Sequence, residues 1–164
     1  MAEATGSADA YAPPELYTEV QQFYARQMNL IEGRETDPDA WAETFTDDAV
    51  FASAHEEPVV GREAIRESIR KGVAHIASQN LDFRHWFGML DVVPQPDGSL
   101  RTRYYALAMA TPQGGELAIR SSHLCRDHLV RGADGVLRVS RRSLRADGRK
   151  AGEAPAPSHE AAEA

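Results

Sequence analysis

Cysteine is nearly absent from this sequence, since Cys125 is the only one among 164 residues. One thiol excludes an intrachain disulfide framework and is typical of a reducing compartment, so we expect a cytoplasmic protein. No apolar run approaches the roughly 20 residues that a membrane-spanning helix needs. Residues 1–14 also lack the basic start and the apolar stretch of a signal peptide. We therefore expect no membrane partner.

Positive charge is also scarce, because 18 lysines and arginines face 25 acidic residues and leave a formal net charge of −7. Nucleic acids and anionic membranes favour a basic face, so neither is an expected partner. The sequence contains no GxGxxG, GxxxxGK[ST], HExxH or GxSxG motif, and no group of His, Cys and acidic residues has metal-ligand spacing. We therefore predict a protein without a nucleotide, metal or flavin cofactor.

Bulky apolar residues are missing from both ends of the chain. Residues 147–164 are rich in Ala, Pro and Glu and cannot bury enough surface to offset the entropy of ordering. We expect a flexible N-terminus over 1–13, one folded domain over 14–146 and a disordered tail over 147–164. A domain of about 130 residues is large enough to bury a core.

The first half of the domain has the apolar spacing of helices. A helix is predicted from Pro14 to Glu32, ending at Gly33, and a short one follows Asp37-Pro38. A brief strand is predicted over 49–53. The third helix, after Gly61, has an apolar stripe formed by Ile65, Ile69, Val73 and Ile76.

The second half changes to strand periodicity. Strands are predicted over 81–93, 99–111, 115–131 and 136–145, separated by the turn sequences PQPDG, PQGG and GADG. Four consecutive hairpin-linked strands predict an antiparallel sheet, and strands of this length must twist and curl. With three helices covering one face, the expected fold is α+β, a cone-shaped barrel with an interior.

Five segments together resemble a known family. They are FYARQMNLIEG, DAWAETFTDDAVF, GREAI, RHWFGML and DHLVRGADGVLRVSRRSL. The pattern, over roughly 15–146, resembles the SnoaL-like branch of the nuclear transport factor 2-like superfamily. The first and fourth segments look most similar to accessory proteins of aromatic polyketide pathways of the actinorhodin (benzoisochromanequinone) type. The resemblance implies the cone-shaped fold and a homodimer formed through the sheet.

His85 is the main candidate for chemistry. Strand alternation places His85, Phe87 and Met89 on one face, an apolar wall with one titratable group. The RHWFGM strand is similar to the QHFIGG strand of scytalone dehydratase, a superfamily member, which implies a cavity histidine. Imidazole suits the role because its ordinary pKa lies near neutrality. The alternative is a half-buried structural histidine.

A carboxylate beside His85 would orient it and stabilise its charged form. The resemblance implies Glu32 for this role, and Asp37 or Asp39 stay open because the following loop is longer than usual. Tyr24, on the apolar stripe of the first helix, either donates a hydrogen bond to a substrate carbonyl or belongs to the core.

The remaining candidates form the expected pocket. Tyr104 and Tyr105 are adjacent in a strand, so only one can face inward, and Tyr105 is a candidate. The resemblance favours an inward face carrying Ser122 and Arg126 over one carrying His123, Cys125 and Asp127, although register decides. It also implies a second cavity histidine, which residues 108–111 lack. The residues expected to hold the ligand's rings are Trp41, Phe51, Phe87 and Met89.

Together with these residues, the resemblance implies a cofactor-independent tailoring enzyme of aromatic polyketide antibiotic biosynthesis. The reaction would be that of a lyase (dehydratase) or a cyclase, acting on a hemiketal or β-hydroxy carbonyl intermediate by general acid–base catalysis. The expected partner is a small aromatic polyketide-like ligand. The alternative is a noncatalytic binding or accessory protein that protects such an intermediate or supports a partner oxygenase, as dioxygenase β subunits do.

Overall fold

The computed structural model describes residues 11–53 and 57–148. The segments expected to be flexible or disordered, 1–13 and 147–164, lie for the most part outside the described residues. Three helices and six strands are found in the described ranges: α1 Pro14–Asn29, α2 Pro38–Ala42, β1 Phe45–Ala52, β2 Val59–Val60, α3 Arg62–Ser78, β3 Leu81–Pro94, β4 Leu100–Pro112, β5 Ala118–Arg131 and β6 Leu137–Ala146.

Helix α1 begins at Pro14 as expected but ends three residues before Glu32. The chain turns there because the Ile31 N–H donates to the carbonyl of Met28, and the Asp37 N–H donates to the carbonyl of Leu30. Glu32 therefore lies on the loop between α1 and α2, where the direction of its side chain is not set by a helical backbone. None of the described helices is long and apolar enough to cross a membrane.

The six strands form one sheet in the order β2-β1-β6-β5-β4-β3. Strands β3 to β6 pair as consecutive antiparallel neighbours, which confirms the predicted hairpins. The sheet is not closed into a barrel, since β2 and β3 are its edges. Two features were not predicted: the short strand β2, and a parallel pairing of β1 with β6. The α+β class is confirmed, and in place of the expected cone-shaped barrel the sheet is open at both edges.

The helices lie against one face of the sheet and enclose the core there. Val20 of α1, Trp41 of α2 and Ile65 of α3 belong to the same buried cluster as Tyr104 of β4 and Leu129 of β5. Strand β4 alternates strictly, with every second side chain from Leu100 to Ala110 buried. The sheet thus has an inner face toward the helices and an outer face away from them.

Several irregularities change which side chains reach the inner face, and two of them bear on the cavity. In β6, Ser140 is an extra residue opposite β5, because His128 pairs with Arg141 whereas Leu129 pairs with Val139. Beyond this bulge Arg142 faces inward. In β3 the register shifts between Gly88 and Asp91. Each bulge reverses the alternation that follows it, so simple period-two counting fails beyond it.

Candidate active site

His85 and Glu32 form the centre of the candidate site. His85 lies on β3 with its side chain toward the helices, and Glu32 reaches it from the α1–α2 loop. The Nδ1 atom of His85 is 2.7 Å from Oε1 of Glu32, and the same oxygen accepts the backbone N–H of His85 at 2.7 Å. One carboxylate oxygen therefore fixes both the ring and the strand that carries it.

This geometry sets the roles of the two imidazole nitrogens. A carboxylate oxygen that already accepts the backbone N–H is an acceptor, so Nδ1 of His85 carries the hydrogen that it donates to Glu32. The other nitrogen, Nε2, then has a lone pair. The side chain of Glu32 is only 9% exposed and that of His85 is 28% exposed. A ligand can reach the histidine, and the carboxylate lies behind it.

An interior cavity of about 180 Å³ lies between the helices and the inner face of the sheet. His85 and Phe87 of β3 form part of its wall, and the small residues Ala106 and Ala108 of β4 leave space beside them. Trp41 and Phe51 line it, as expected from the sequence. The other lining residues are Met28, Ile31, Ile69, Tyr104, Ser121, His123, Cys125, Arg142 and Leu144.

A second depression of about 350 Å³ lies between α1 and β3 and is lined by Glu32, Tyr17, Gln21 and neighbouring residues. The depression and the interior cavity share four lining residues: Met28, His85, Phe87 and Tyr104. The imidazole of His85 therefore borders both spaces. A ligand with more than one ring could extend from the cavity past the histidine toward the surface.

A buried polar network closes the cavity on the β5–β6 side. Arg142 donates through Nε and Nη2 to the carboxylate of Asp127, at distances of 2.7–3.0 Å, and through Nη2 to the side-chain oxygen of Gln27 at 2.7 Å. The Tyr24 hydroxyl donates to Asp127 at 2.9 Å and lies 2.6 Å from Thr102 Oγ1. Burial, and then the charge of Asp127, raises the pKa of Tyr24 well above its ordinary value.

The structure does not place Tyr24 where its hydroxyl could hold a substrate oxygen. That hydroxyl donates its hydrogen to Asp127 and lies within hydrogen-bond distance of Thr102, so the phenol belongs to the structural network.

Asp37 and Asp39 also lie away from His85. Asp37 caps α2 by accepting the Ala40 N–H at 2.9 Å. Asp39 forms an ion pair with Arg70 at 2.6 Å. Among the three predicted acids, only Glu32 contacts His85.

Two residues expected on the cavity wall do not line the interior cavity. Met89 lies at the β3 bulge with φ of 53° and is 76% exposed, and it borders the depression between α1 and β3 instead. Tyr105 follows the buried Tyr104 in β4, so alternation turns it to the outer face, where its hydroxyl accepts from Arg103.

The face of β5 that the resemblance favoured is not the one that faces inward. Arg126 is exposed on the outer face, and the Ser122 hydroxyl donates to Asp147 at 2.6 Å. The inward set is instead His123, Cys125, Asp127 and Leu129, all of which are buried. On this face Cys125 and Leu129 are buried in the core, and Asp127 forms an ion pair with Arg142 of the neighbouring strand β6.

His123, on the face that the resemblance did not favour, is therefore a second histidine of the cavity wall. Strand β4 lies between it and β3, because His123 pairs with Ala106 and Ala106 pairs with Phe87. The signal that could have revealed it is its shared face with Cys125 and Leu129. Arg142 was missed for another reason, since the bulge at Ser140 leaves no clear mark in the sequence.

The comparisons with known proteins agree with this fold. Residues 14–143 match the model of the SnoaL-like domain. No curated protein matches the chain. Aln2 from a Streptomyces species is 37% identical, with a TM-score of 0.76 over 84% of this chain and 95% of Aln2. ActVI-ORFA from Streptomyces coelicolor is 30% identical, with a TM-score of 0.76 over 84% of this chain and 99% of that protein.

A third similar structure contains a ligand. It is a protein from Catenulispora acidiphila in complex with S-DNPA. It is 35% identical to this chain, with a TM-score of 0.71, and the match covers 86% of this chain and the whole of that one. At these identities and coverages, the similarity extends over nearly the full domain of each protein.

Proposed function

Because this chain belongs to the family of SnoaL-like domains, we propose that it is a cofactor-independent tailoring enzyme of aromatic polyketide biosynthesis. It would dehydrate or cyclise a hemiketal or β-hydroxy carbonyl intermediate. The polyketide assignment is supported by the sequence resemblance to accessory proteins of actinorhodin-type pathways. A small-molecule ligand is supported by the complex of the Catenulispora protein with S-DNPA.

The observation that carries the proposal is the 2.7 Å hydrogen bond between Glu32 and Nδ1 of His85 at the edge of an apolar cavity. With Nδ1 donating to Glu32, Nε2 is the nitrogen that can accept a proton from a ligand. The carboxylate stabilises the imidazolium that results and holds the ring in place. This pairing of a base with an orienting acid suits general acid–base catalysis, which needs a positioned group that transfers the proton.

In a dehydration, His85 Nε2 would take the proton from the carbon between the carbonyl and the hydroxyl-bearing carbon. The C–H electron pair becomes the new C=C bond, and the β-hydroxyl leaves. The imidazolium returns the proton to that hydroxyl, so water is the second product and His85 is restored. No oxidant or reductant is consumed. Phe87 and Trp41 would contact the ring from the cavity walls.

The test uses 3-hydroxy-1-tetralone, a β-hydroxy ketone fused to an aromatic ring, which yields 1-naphthol when it loses water. We expect many molecules of 1-naphthol per molecule of protein, followed by fluorescence with buffer alone as the control. Product limited to the uncatalysed rate, together with stoichiometric binding of the ketone, would overturn the enzyme proposal and support the noncatalytic binding protein instead.

We also propose that the chain forms a homodimer through the outer face of its sheet. The support is an exposed apolar patch in which Trp86 pairs with Leu107 and Met109 pairs with Ile119. Trp86 is 65% exposed and Ile119 is 62% exposed, which is unusual for side chains of this size.

The cytoplasmic location stays a prediction, which fractionation of producing cells would test.

A further inference from the structure

Arg142 is a buried cation that has one nitrogen without a hydrogen bond. Its side chain is only 4% exposed. Nε and Nη2 both donate to Asp127, and Nη2 also donates to Gln27. Nη1 makes no hydrogen bond within residues 11–53 and 57–148. Its two hydrogens are therefore available to an acceptor from outside the protein.

The guanidinium of Arg142 is held in a fixed orientation. Its central carbon lies 5.8 Å from the ring centre of Tyr24 and 5.5 Å from that of Phe45. Because a guanidinium is planar and its Nε–Nη2 edge faces Asp127, Nη1 lies on the side turned away from that carboxylate. A donor fixed in this way loses little conformational entropy when it binds an acceptor.

Nη1 of Arg142 keeps accessible surface on the cavity side. Arg142 is one of the residues that line the interior cavity. Among the described residues, the unpaired side-chain nitrogens and oxygens that are fully enclosed are Trp41 Nε1, Thr46 Oγ1 and Arg138 Nε, and Nη1 of Arg142 is not one of them. Since the side chain faces inward, a ligand in the cavity can reach this nitrogen.

The charges at this end of the cavity select a neutral oxygen as the ligand atom. Arginine has donors only, so the ligand atom must be an acceptor. Asp127 already balances the charge of Arg142, so a carboxylate on the ligand would add an unbalanced charge to a buried site. On an aromatic ring, the neutral acceptor is the oxygen of a phenol.

Arg142 and His85 lie far apart in the sheet. Arg142 is in the row of Asp127 and Thr102, whereas His85 pairs with Ala108, six residues further along β4. At about 3.3 Å per residue, the two rows are about 20 Å apart along the strand. One six-membered ring cannot contact both side chains, so the oxygen at Arg142 is not the carbonyl beside the carbon on which His85 acts.

We propose that Arg142 forms a ligand subsite, in which Nη1 donates to a phenol oxygen on the ring that enters the interior cavity. The substrate class is then a fused-ring ketone with a phenol at the end remote from its carbonyl, and the carbonyl-bearing part lies toward His85 and the depression beyond it. This inference rests on the proposed function for its ligand class but requires no catalysis, so equilibrium binding tests it separately.

The first experiment measures the affinity of two probes by calorimetry. They are 6-hydroxy-1-tetralone and 6-methyl-1-tetralone, in which a methyl group of similar size replaces the phenol hydroxyl. One hydrogen bond from a charged group predicts that the wild type prefers the hydroxyl probe by roughly 10- to 150-fold. Arg142→Lys keeps a positive charge beside Asp127 but lacks Nη1, so it should abolish that preference. Arg126→Lys is the matched control, since Arg126 is exposed on the outer face, and should keep it.

The second experiment is a crystal structure of the wild type with 6-hydroxy-1-tetralone. We expect the phenol oxygen within about 3 Å of Nη1 of Arg142. A phenol oxygen bound elsewhere, an undiminished preference in folded Arg142→Lys, or a wild type that binds both probes equally or neither would overturn the subsite. The two wild-type measurements decide the matter even if Arg142→Lys fails to fold, and they hold whether or not 3-hydroxy-1-tetralone is turned over.

Discussion

At the scale of single residues, the loop position of Glu32 explains how it can serve His85. A carboxylate on a regular helix would have its direction set by the helix, whereas the loop lets one oxygen accept from both the ring and the backbone of His85. The sequence predicted this pair through resemblance, although it placed Glu32 at the helix end. The unpaired Trp41 N–H could not be predicted, because it depends on the absence of acceptors in three dimensions among the described residues.

Cys125 provides a residue-scale prediction about the cavity. Burial raises the pKa of its thiol to about 12, and the residue is only 1% exposed. Since the thiolate is the reactive form, iodoacetamide at pH 8.5 should alkylate the native protein at least roughly ten times more slowly than the protein unfolded in urea. Intact-mass measurements over time give both rates. Equal rates would contradict a closed, apolar surrounding for this thiol.

The same raised pKa has a consequence for stability. The folded state keeps a proton that the unfolded thiol loses near its ordinary pKa of about 9. The contribution of the buried, protonated Cys125 thiol to the free energy of unfolding is therefore complete below pH 9 and declines as the pH rises toward 12. Tyr24 and Tyr104 act in the same direction, because burial raises the pKa of both hydroxyls.

At the scale of elements, the bulge in β6 determines the chemistry of the inner face. Without the extra residue Ser140, alternation from Val139 would turn Arg141 inward and Arg142 outward. With it, Arg142 reaches Asp127 on β5 and ties both strands to Gln27 of α1. The hairpins were predictable because turn residues mark them, but a bulge depends on packing across the sheet. Arg142 was therefore not among the expected cavity residues, whereas the face of β5 with Ser122 and Arg126 was favoured through the family resemblance.

The buried pair of Asp127 and Arg142 predicts a large loss of stability on substitution. Their side chains are 0% and 4% exposed, so Asp127→Asn leaves a buried guanidinium without its counter-charge. We expect the free energy of unfolding to fall by about 3–5 kcal/mol, measured by urea denaturation. The control is Asp134→Asn, which breaks the exposed pair with Arg138 on the same hairpin and should change little. A similar small effect from both variants would contradict the role of the network.

At the scale of the whole molecule, the two faces of the sheet differ in the surfaces that they present. The inner face carries the cavity, and the outer face carries the apolar patch around Trp86 and Ile119. The order of the helices and of the strands other than β2, the hairpins and the α+β class were readable from periodicity and turn residues. Openness of the sheet was not, because it depends on how β1 and β6 pair in parallel across a long sequence separation.

The proposed homodimer gives a prediction at this scale. Trp86→Glu puts a charge into the outer patch and should yield monomers in sedimentation-velocity experiments, whereas the wild type should sediment as a dimer. Glu67→Gln on the exposed surface of α3 is the control and should leave the dimer intact. A wild type that stays monomeric at high micromolar concentration would refute the dimer, without affecting the cavity.

The most direct test of the central claim is the rate at which His85→Asn converts 3-hydroxy-1-tetralone to 1-naphthol. The matched control is His75→Asn, since His75 is exposed on α3. If His85 transfers the proton, kcat/KM should fall by about 10² to 10⁴ in His85→Asn, as expected for the loss of a general acid–base, and stay at the wild-type value in His75→Asn. A folded His85→Asn protein that matches the wild type would contradict the account.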